Sequence, residues 1–124
     1  MMLAKAKMFN DTETYNLILK AEHPREQKAL GRKVKGFDAD IWMKDCLDIV
    51  ADIVYDKFSQ FKSWKEVLML TDPYVIVEAS PTDKIWGIGM AEDNPDLLKT
   101  ELWGKNLLGE ALMNARYRII KELK

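Results

Sequence analysis

The stretch Val75–Met90, V-I-V-E-A-S-P-T-D-K-I-W-G-I-G-M, limits the fold of this chain more than any other. Val75-Ile76-Val77 is a short apolar run behind Asp72-Pro73 and reads as a buried strand. Ser80-Pro81-Thr82 ends regular structure, and Asp83, Trp86, Gly87 and Gly89 crowd into the positions that follow. Glycines on either side of Ile88 suggest backbone that turns tightly or comes close to something flat, since neither carries a Cβ. One reading is a glycine-rich hairpin with a core tryptophan and a capping aspartate. The other is a pocket lining in which ring, carboxylate and backbone N–H groups hold a base and a sugar.

Helical periodicity dominates the remainder. Met1 to about Phe9 reads as a helix without a cap, and Asn10-Asp11-Thr12 as a turn and N-cap for a helix with Tyr15, Leu17, Ile18 and Leu19 on its apolar face. Pro24 starts another helix through Val34. From Asp38 to about Phe61, Trp42, Cys46, Ile49 and Ile53 recur at steps of three or four, as do Leu47, Val50, Val54, Phe58 and Phe61. Asp45, Asp48, Asp52 and Asp56 run opposite, as a solvated face. Lys57 lies in line with the Trp42 stripe, so its head must snorkel outward or meet an anion.

Ser63 with Glu66 predicts a capping box for a short helix, with Trp64, Val67, Leu68 and Leu70 packing inward. Met90–Leu102 is charged and carries Asn94-Pro95, a loop long enough to lid a pocket. Asn106 stands where the last helix begins, and both capping and ligand contact are open to it. Leu108, Leu112, Ala115 and Ile119 form that helix's buried stripe. Gly109 in its first turn costs about 1 kcal/mol against alanine, which suggests close approach to another segment or to a ligand. The expected fold is α+β and predominantly helical, a single domain over residues 1–124 with one or a few short strands.

Composition removes several function classes. A formal net charge of −1 gives no electrostatic case for tracking long nucleic acid. One cysteine, Cys46, excludes an internal disulfide framework and a multi-cysteine zinc site, and it fits a reducing compartment. His23 is the sole histidine and sits beside a helix-starting proline, which argues against a Ser-His-Asp triad. No run approaches the length of a membrane span, so the default location is cytoplasmic. No P-loop, dinucleotide fingerprint, HExxH or CxxC occurs, so neither cofactor nor metal is expected.

Four motifs in order, A-L-G-R-K-V (29–34), the isolated Trp42, D-K-I-W-G-I-G (83–89) and G-K-N-L-L-G-E-A-L-M-N-A-R (104–116), resemble the NADAR (YbiA-like) domain family. The resemblance runs from Met1 to about Arg118. It implies cleavage of an N-glycosidic bond, in a ribosylamino-pyrimidine phosphate of the riboflavin pathway or in ADP-ribose attached to guanine, free or within nucleic acid. It further implies that the M-M-x-x-K-A-x-x-F segment follows a strand-containing region with a functional glutamate. The sequence starts just after that glutamate, so the domain is expected to be shortened at its N-terminus. Val75–Val77 would then be left unpaired, or would join a neighbouring chain as a homodimer. Some relatives carry aspartate where this chain has Ile88, and a role resting on that aspartate does not transfer.

The transition state for breaking a ribosyl C–N bond spreads positive charge over the anomeric carbon and ring oxygen. A nearby carboxylate, a proton donor to the departing base and a positioned nucleophile all lower its energy. Asp83 is the candidate carboxylate and Lys5, which matches the family's lysine, the second catalytic group: a cation, or an amine able to attack an opened sugar aldehyde if burial lowers its pKa. Trp86, and Trp42 unless it is simply core, are candidates to stack on base or ribose, with Gly87 beside them. Arg32, Lys57 and the helix start at Asn106 are candidates for phosphate. Two rival readings remain: a module that binds ADP-ribose-like ligands without cleaving them, and a helical interaction protein.

Overall fold

A computed structural model describes residues 1–123, in which every regular element is helical. They are α1 (Met2–Met8), α2 (Thr12–Lys20), α3 (Pro24–Gly31), α4 (Ala39–Ser59), α5 (Lys62–Leu70) and α6 (Leu107–Glu122), with a 3-10 turn at Thr100–Leu102. The chain forms two compact units, Met1–Ile49 and Val50–Lys124, and α4 runs through the boundary.

In the first unit α1, α2 and α3 pack against one another. Ala6, Ile18 and Val34 are its buried centre, with Met2, Leu3, Phe9, Tyr15 and Leu30 packed around them. Asp11 holds the corner. As N-cap of α2 its carboxylate accepts from Thr14 N (3.0 Å) and Thr14 Oγ1 (2.6 Å), and it also accepts from Lys35 N (2.8 Å), well along the chain. One side chain thereby fixes the start of α2 and the strap that follows α3. Leu17 and Leu19, expected on the apolar face of α2, are exposed, because only Ile18 and Thr14 are buried on that helix. The third helix ends at Gly31 rather than Val34.

Along α4, Trp42, Cys46, Val50 and Val54 are buried. This single i,i+4 row replaces the broad face expected from periodicity, and Ile53 and Phe61 are exposed. In the second unit α5 packs on α6, with Leu68, Ala111, Ala115 and Ile119 among the buried residues. Arg116 is buried too and reaches the end of α5, donating to Thr71 Oγ1 (3.0 Å) and Tyr74 O (2.7 Å) and lying 3.7 Å from Asp72. Arg118 stacks on the Tyr55 ring and pairs with Asp52 at 3.1 Å, which joins α4 to α6.

Several expectations here need correction. Val75–Val77 forms no strand among the described residues, and Val75 is 64% exposed. Ser63 makes no capping hydrogen bond, since α5 starts two residues earlier than that cap requires, with Phe61 at its N-cap. Of the residues expected to point inward from α5, only Leu68 is buried, while Trp64, Val67 and Leu70 are exposed.

The Asp11 knot sets a pH dependence. Hydrogen bonds from Lys35 N, Thr14 Oγ1 and Thr14 N hold its carboxyl down at about 2, below the ordinary 3.8. A depressed carboxylate contributes its stability above the ordinary value and loses it as pH falls through the folded one. The thermal midpoint should therefore drop between pH ~4 and ~2, and Asp11→Asn should flatten that part of a melting-temperature-against-pH curve.

Candidate functional site

Pro73 and Pro81 bound a segment that cannot continue as helix, and the glycines beyond it let main chains meet at van der Waals distance. The result is a ladder of backbone hydrogen bonds between residues 84–88 and 104–108. Lys105 N donates to Lys84 O (2.8 Å), Leu107 N to Ile85 O (3.1 Å), Leu108 N to Trp86 O (3.0 Å), Asn106 N to Gly87 O (3.1 Å) and Gly104 N to Ile88 O (2.8 Å). Ile88 N in turn donates to Glu78 O at 3.0 Å. Leu107 N and Leu108 N, the first two amides of α6, where the sequence suggested phosphate, thus already have protein acceptors.

Asn106 closes the assembly. It is 5% exposed and adopts a left-handed backbone conformation (φ 52°), which asparagine tolerates better than most residues. It occupies the N-cap position of α6, but its side chain does not cap the helix. It reaches instead to the 76–78 segment, accepting from Glu78 N (3.0 Å) and donating to Ile76 O (2.9 Å). Gly109 explains itself in the same contact, because a Cβ there would collide with the Ile76 carbonyl oxygen and the Asn106 amide. Gly87 is equally constrained: a Cβ would stand 2.7 Å from Glu78 O and 2.9 Å from Asp83 O.

Asp83 is anchored within this frame. Its Oδ1 accepts from Ile85 N (3.0 Å) and Trp86 N (2.8 Å), while no hydrogen bond to Oδ2 is present among the described residues. The carboxylate is half-buried, as is Trp86. Asp83, Trp86, Gly87 and Asn106 therefore belong to one hydrogen-bonded construction. Lys57 is exposed, with Nζ 5.7 Å from the Trp64 ring centre, in a recess of about 280 Å³ lined also by Phe58 and Val67. No hydrogen bond, ion pair or ring contact joins it to the Asp83 group among the described residues.

The other candidates lie in the first unit. Lys5 is half-buried, with Nζ 4.3 Å from the Phe37 ring centre. Burial holds its pKa below the usual lysine value, and the nearby Arg32 guanidinium adds to the effect. Arg32 itself is exposed at the C-cap of α3. Trp42 is only 6% exposed, so its ring faces protein. His23 is exposed. In the loop expected to act as a lid, Trp103 Nε1 donates to Leu97 O (2.8 Å) and Lys99 pairs with Asp96 (2.9 Å).

The family model described as the NADAR domain matches residues 1–120. The chain belongs to the NADAR domain family. Among NADAR relatives, N-glycosidase R617 of Acanthamoeba polyphaga mimivirus is 41% identical over 117 residues, covering 94% of this chain and 69% of that protein. Protein irg-1 of Caenorhabditis elegans is 36% identical, covering 93% of this chain and 56% of the relative. The chloroplastic riboflavin biosynthesis protein PYRR of Zea mays is 32% identical, covering 81% of this chain and 15% of the relative. The chain thus spans from about two thirds to a small part of these longer proteins.

The blocks D-K-I-W-G-I-G and G-K-N-L-L-G are the two sides of the ladder, and Gly87, Gly104 and Gly109 in them serve main-chain contact. Sequence reasoning missed Glu78. Its main chain is held on both sides, by Asn106 and by Ile88, and its Cγ lies 3.2 Å from where a Gly87 Cβ would stand. The available signal was a lone charge closing the V-I-V run, five residues before Asp83. Arg116, buried on α6, is the staple of the 71–74 turn.

Gly109→Ala tests the close approach. Helix propensity alone would favour alanine by about 1 kcal/mol. The collision should override that and destabilise the protein by ~1–3 kcal/mol, read as a lower urea midpoint.

Proposed function

We propose that the chain is an N-glycoside hydrolase of NADAR type that cleaves the ribosyl C–N bond of a ribosylated or ADP-ribosylated base. The carrying observation is the state of Asp83. One oxygen is pinned by two backbone amides, and the other has no hydrogen-bond partner among the described residues. A fixed carboxylate of this kind favours developing positive charge without reorganising at the moment of reaction. The N-glycosidase name of the mimiviral relative supports the reaction class, and the PYRR relative's name supports a riboflavin-type substrate beside ADP-ribosyl-guanine.

In this reading the C1′–N bond breaks as the base takes a proton, and Asp83 offsets the charge left on the sugar. Water then forms the C1′–O bond and gives up a proton. Trp86 stacks on base or ribose, with the Gly87 backbone beside it. Lys5 is the second catalytic group, its lowered pKa making the neutral amine more accessible near neutral pH. Arg32 and Lys57 contribute positive charge for phosphate, and Asn106 acts by holding the loop. Trp42 is assigned to the core. No metal or cofactor enters the scheme. Among the described residues no helix is long and apolar enough to cross a membrane, and a reducing, cytoplasmic setting goes with the single buried cysteine.

The test is release of guanosine from ADP-ribosyl-guanosine, and of the free aminopyrimidine from a ribosylamino-pyrimidine phosphate, followed by mass spectrometry. Asp83→Asn keeps an oxygen for the two amides and removes only the charge. It should lose ~100-fold or more in kcat with unchanged circular dichroism. Turnover equal to the parent's in a folded Asp83→Asn protein would contradict the mechanism. Calorimetric binding by the parent protein without product release would select a non-catalytic ADP-ribose-binding module, and neither binding nor release a helical interaction protein.

In the same assay Lys5→Ala should also lose activity. The parent's rate should rise with pH through a value below that of an ordinary lysine, as the amine becomes neutral. A flat profile would remove Lys5 from the chemistry.

A further inference from the structure

Lys84 is exposed, yet both its main chain and its stem are built into the loop. A Cβ at Gly104 would collide with its carbonyl oxygen, Cα and carbonyl carbon, and that oxygen accepts from Lys105 N at 2.8 Å. A Cβ at Gly89 would stand 2.8 Å from Lys84 Cγ and 3.6 Å from both Cδ and Cε. Three carbons of the stem therefore lie on a glycine whose own backbone is left-handed (φ 75°). Two glycines make room for one lysine, one under its main chain and one under its side chain. Ordering a lysine stem forfeits up to about 2 kcal/mol of rotamer freedom, so a stem laid down in advance is a preorganised cation. Lys105, exposed as well, issues from the rung that Lys84 O closes. Among the described residues no ion pair reaches either lysine. Like charges on one rung repel, and an anion beside them offsets that repulsion.

We propose that Lys84 binds the phosphate on C5′ of the ribose that Asp83 serves, an assignment that rests on the proposed activity. Both substrate classes share this group. In a ribosylamino-pyrimidine phosphate and in ADP-ribosyl-guanine alike, the ribose that loses its base at C1′ carries phosphate on C5′. Lys84 directly follows Asp83, and both side chains are held to the same loop, Asp83 by the amides of Ile85 and Trp86 and Lys84 by Gly89. One loop thus offers a carboxylate for the anomeric end of the sugar and a cation for its phosphate end. Lys105 adds a second positive charge on the adjoining segment. A lysine meets phosphate as a point charge with rotatable donors, which suits either a monoester or a diphosphate.

Steady-state kinetics on a ribosylamino-pyrimidine with and without its C5′ phosphate tests the assignment. Lys84→Met keeps an unbranched stem to lie on Gly89 and removes the charge. It should raise KM for the phosphorylated substrate ~10- to 100-fold, the loss falling on KM rather than kcat. Lys84→Arg should restore most of that loss, and without the phosphate the difference between parent and Lys84→Met should vanish. A Lys84→Met protein with the parent's circular dichroism and the parent's KM, or one that loses as much on the substrate lacking phosphate, would overturn the assignment and leave the activity standing. A parent without turnover would sink the activity, and calorimetry with ADP-ribose then decides. Weaker binding by Lys84→Met than by the parent keeps the phosphate site, whereas equal binding, or none by either, overturns it.

Discussion

One carboxamide carries an unusual share of the second unit. Asn106 has a backbone that few other residues accept and a side chain whose oxygen and nitrogen both bond to the 76–78 segment. Buried amides are costly unless satisfied, and here satisfaction doubles as a distance constraint. With Ile76 and Glu78 tied down, Ile88 N finds the Glu78 carbonyl, and the 84–88 segment presents its carbonyls to the amides that open α6. Gly109 and Gly87 follow from the same constraint, since a side chain at either would push the strands of backbone apart. Asp83 inherits its position from this frame rather than from any partner of opposite charge.

The helices were legible because periodicity and capping are local. Asn10-Asp11-Thr12 and Pro24 marked helix starts that the structure keeps. Local signals failed where the deciding contact came from far along the chain. V-I-V reads as a strand by composition, but a strand needs a neighbouring segment to bond with, and what bonds Ile76 is the side chain of Asn106 at the N-cap of α6. The Ser63–Glu66 pair had the spacing of a capping box, yet α5 begins at Lys62 and so takes Ser63 inside the helix. On α4 the apolar residues outnumber the buried positions, and periodicity cannot tell which stripe the fold will use.

The candidate residues were readable by type, and their wiring was not. Asp83, Trp86, Gly87 and Asn106 were candidates because of their residue types, and they do come together. What no pattern revealed was that the Leu107 and Leu108 amides at the start of α6 are spent on loop carbonyls. The burial that disfavours the charged form of Lys5 is a property that sequence cannot supply. Glu78 escaped notice because a single acid after an apolar run is ordinary. Its interest lies in its main chain, clamped between Asn106 and Ile88 beside the glycine that Asp83 also touches.

If the Asn106 side chain holds the ladder, removing it without disturbing the backbone should loosen every rung together. Asn106→Gly does this, since glycine accepts the left-handed conformation at no steric cost. The measurement is native-state amide exchange by NMR in parent and variant. The account expects the amides of Glu78, Ile88, Gly104, Leu107 and Leu108 to be well protected in the parent and to lose protection as a group in Asn106→Gly, while the helical circular-dichroism signal persists. Protection of Ile88, Leu107 and Leu108 that survives unchanged in the variant would show that the frame stands without its amide, and would contradict it.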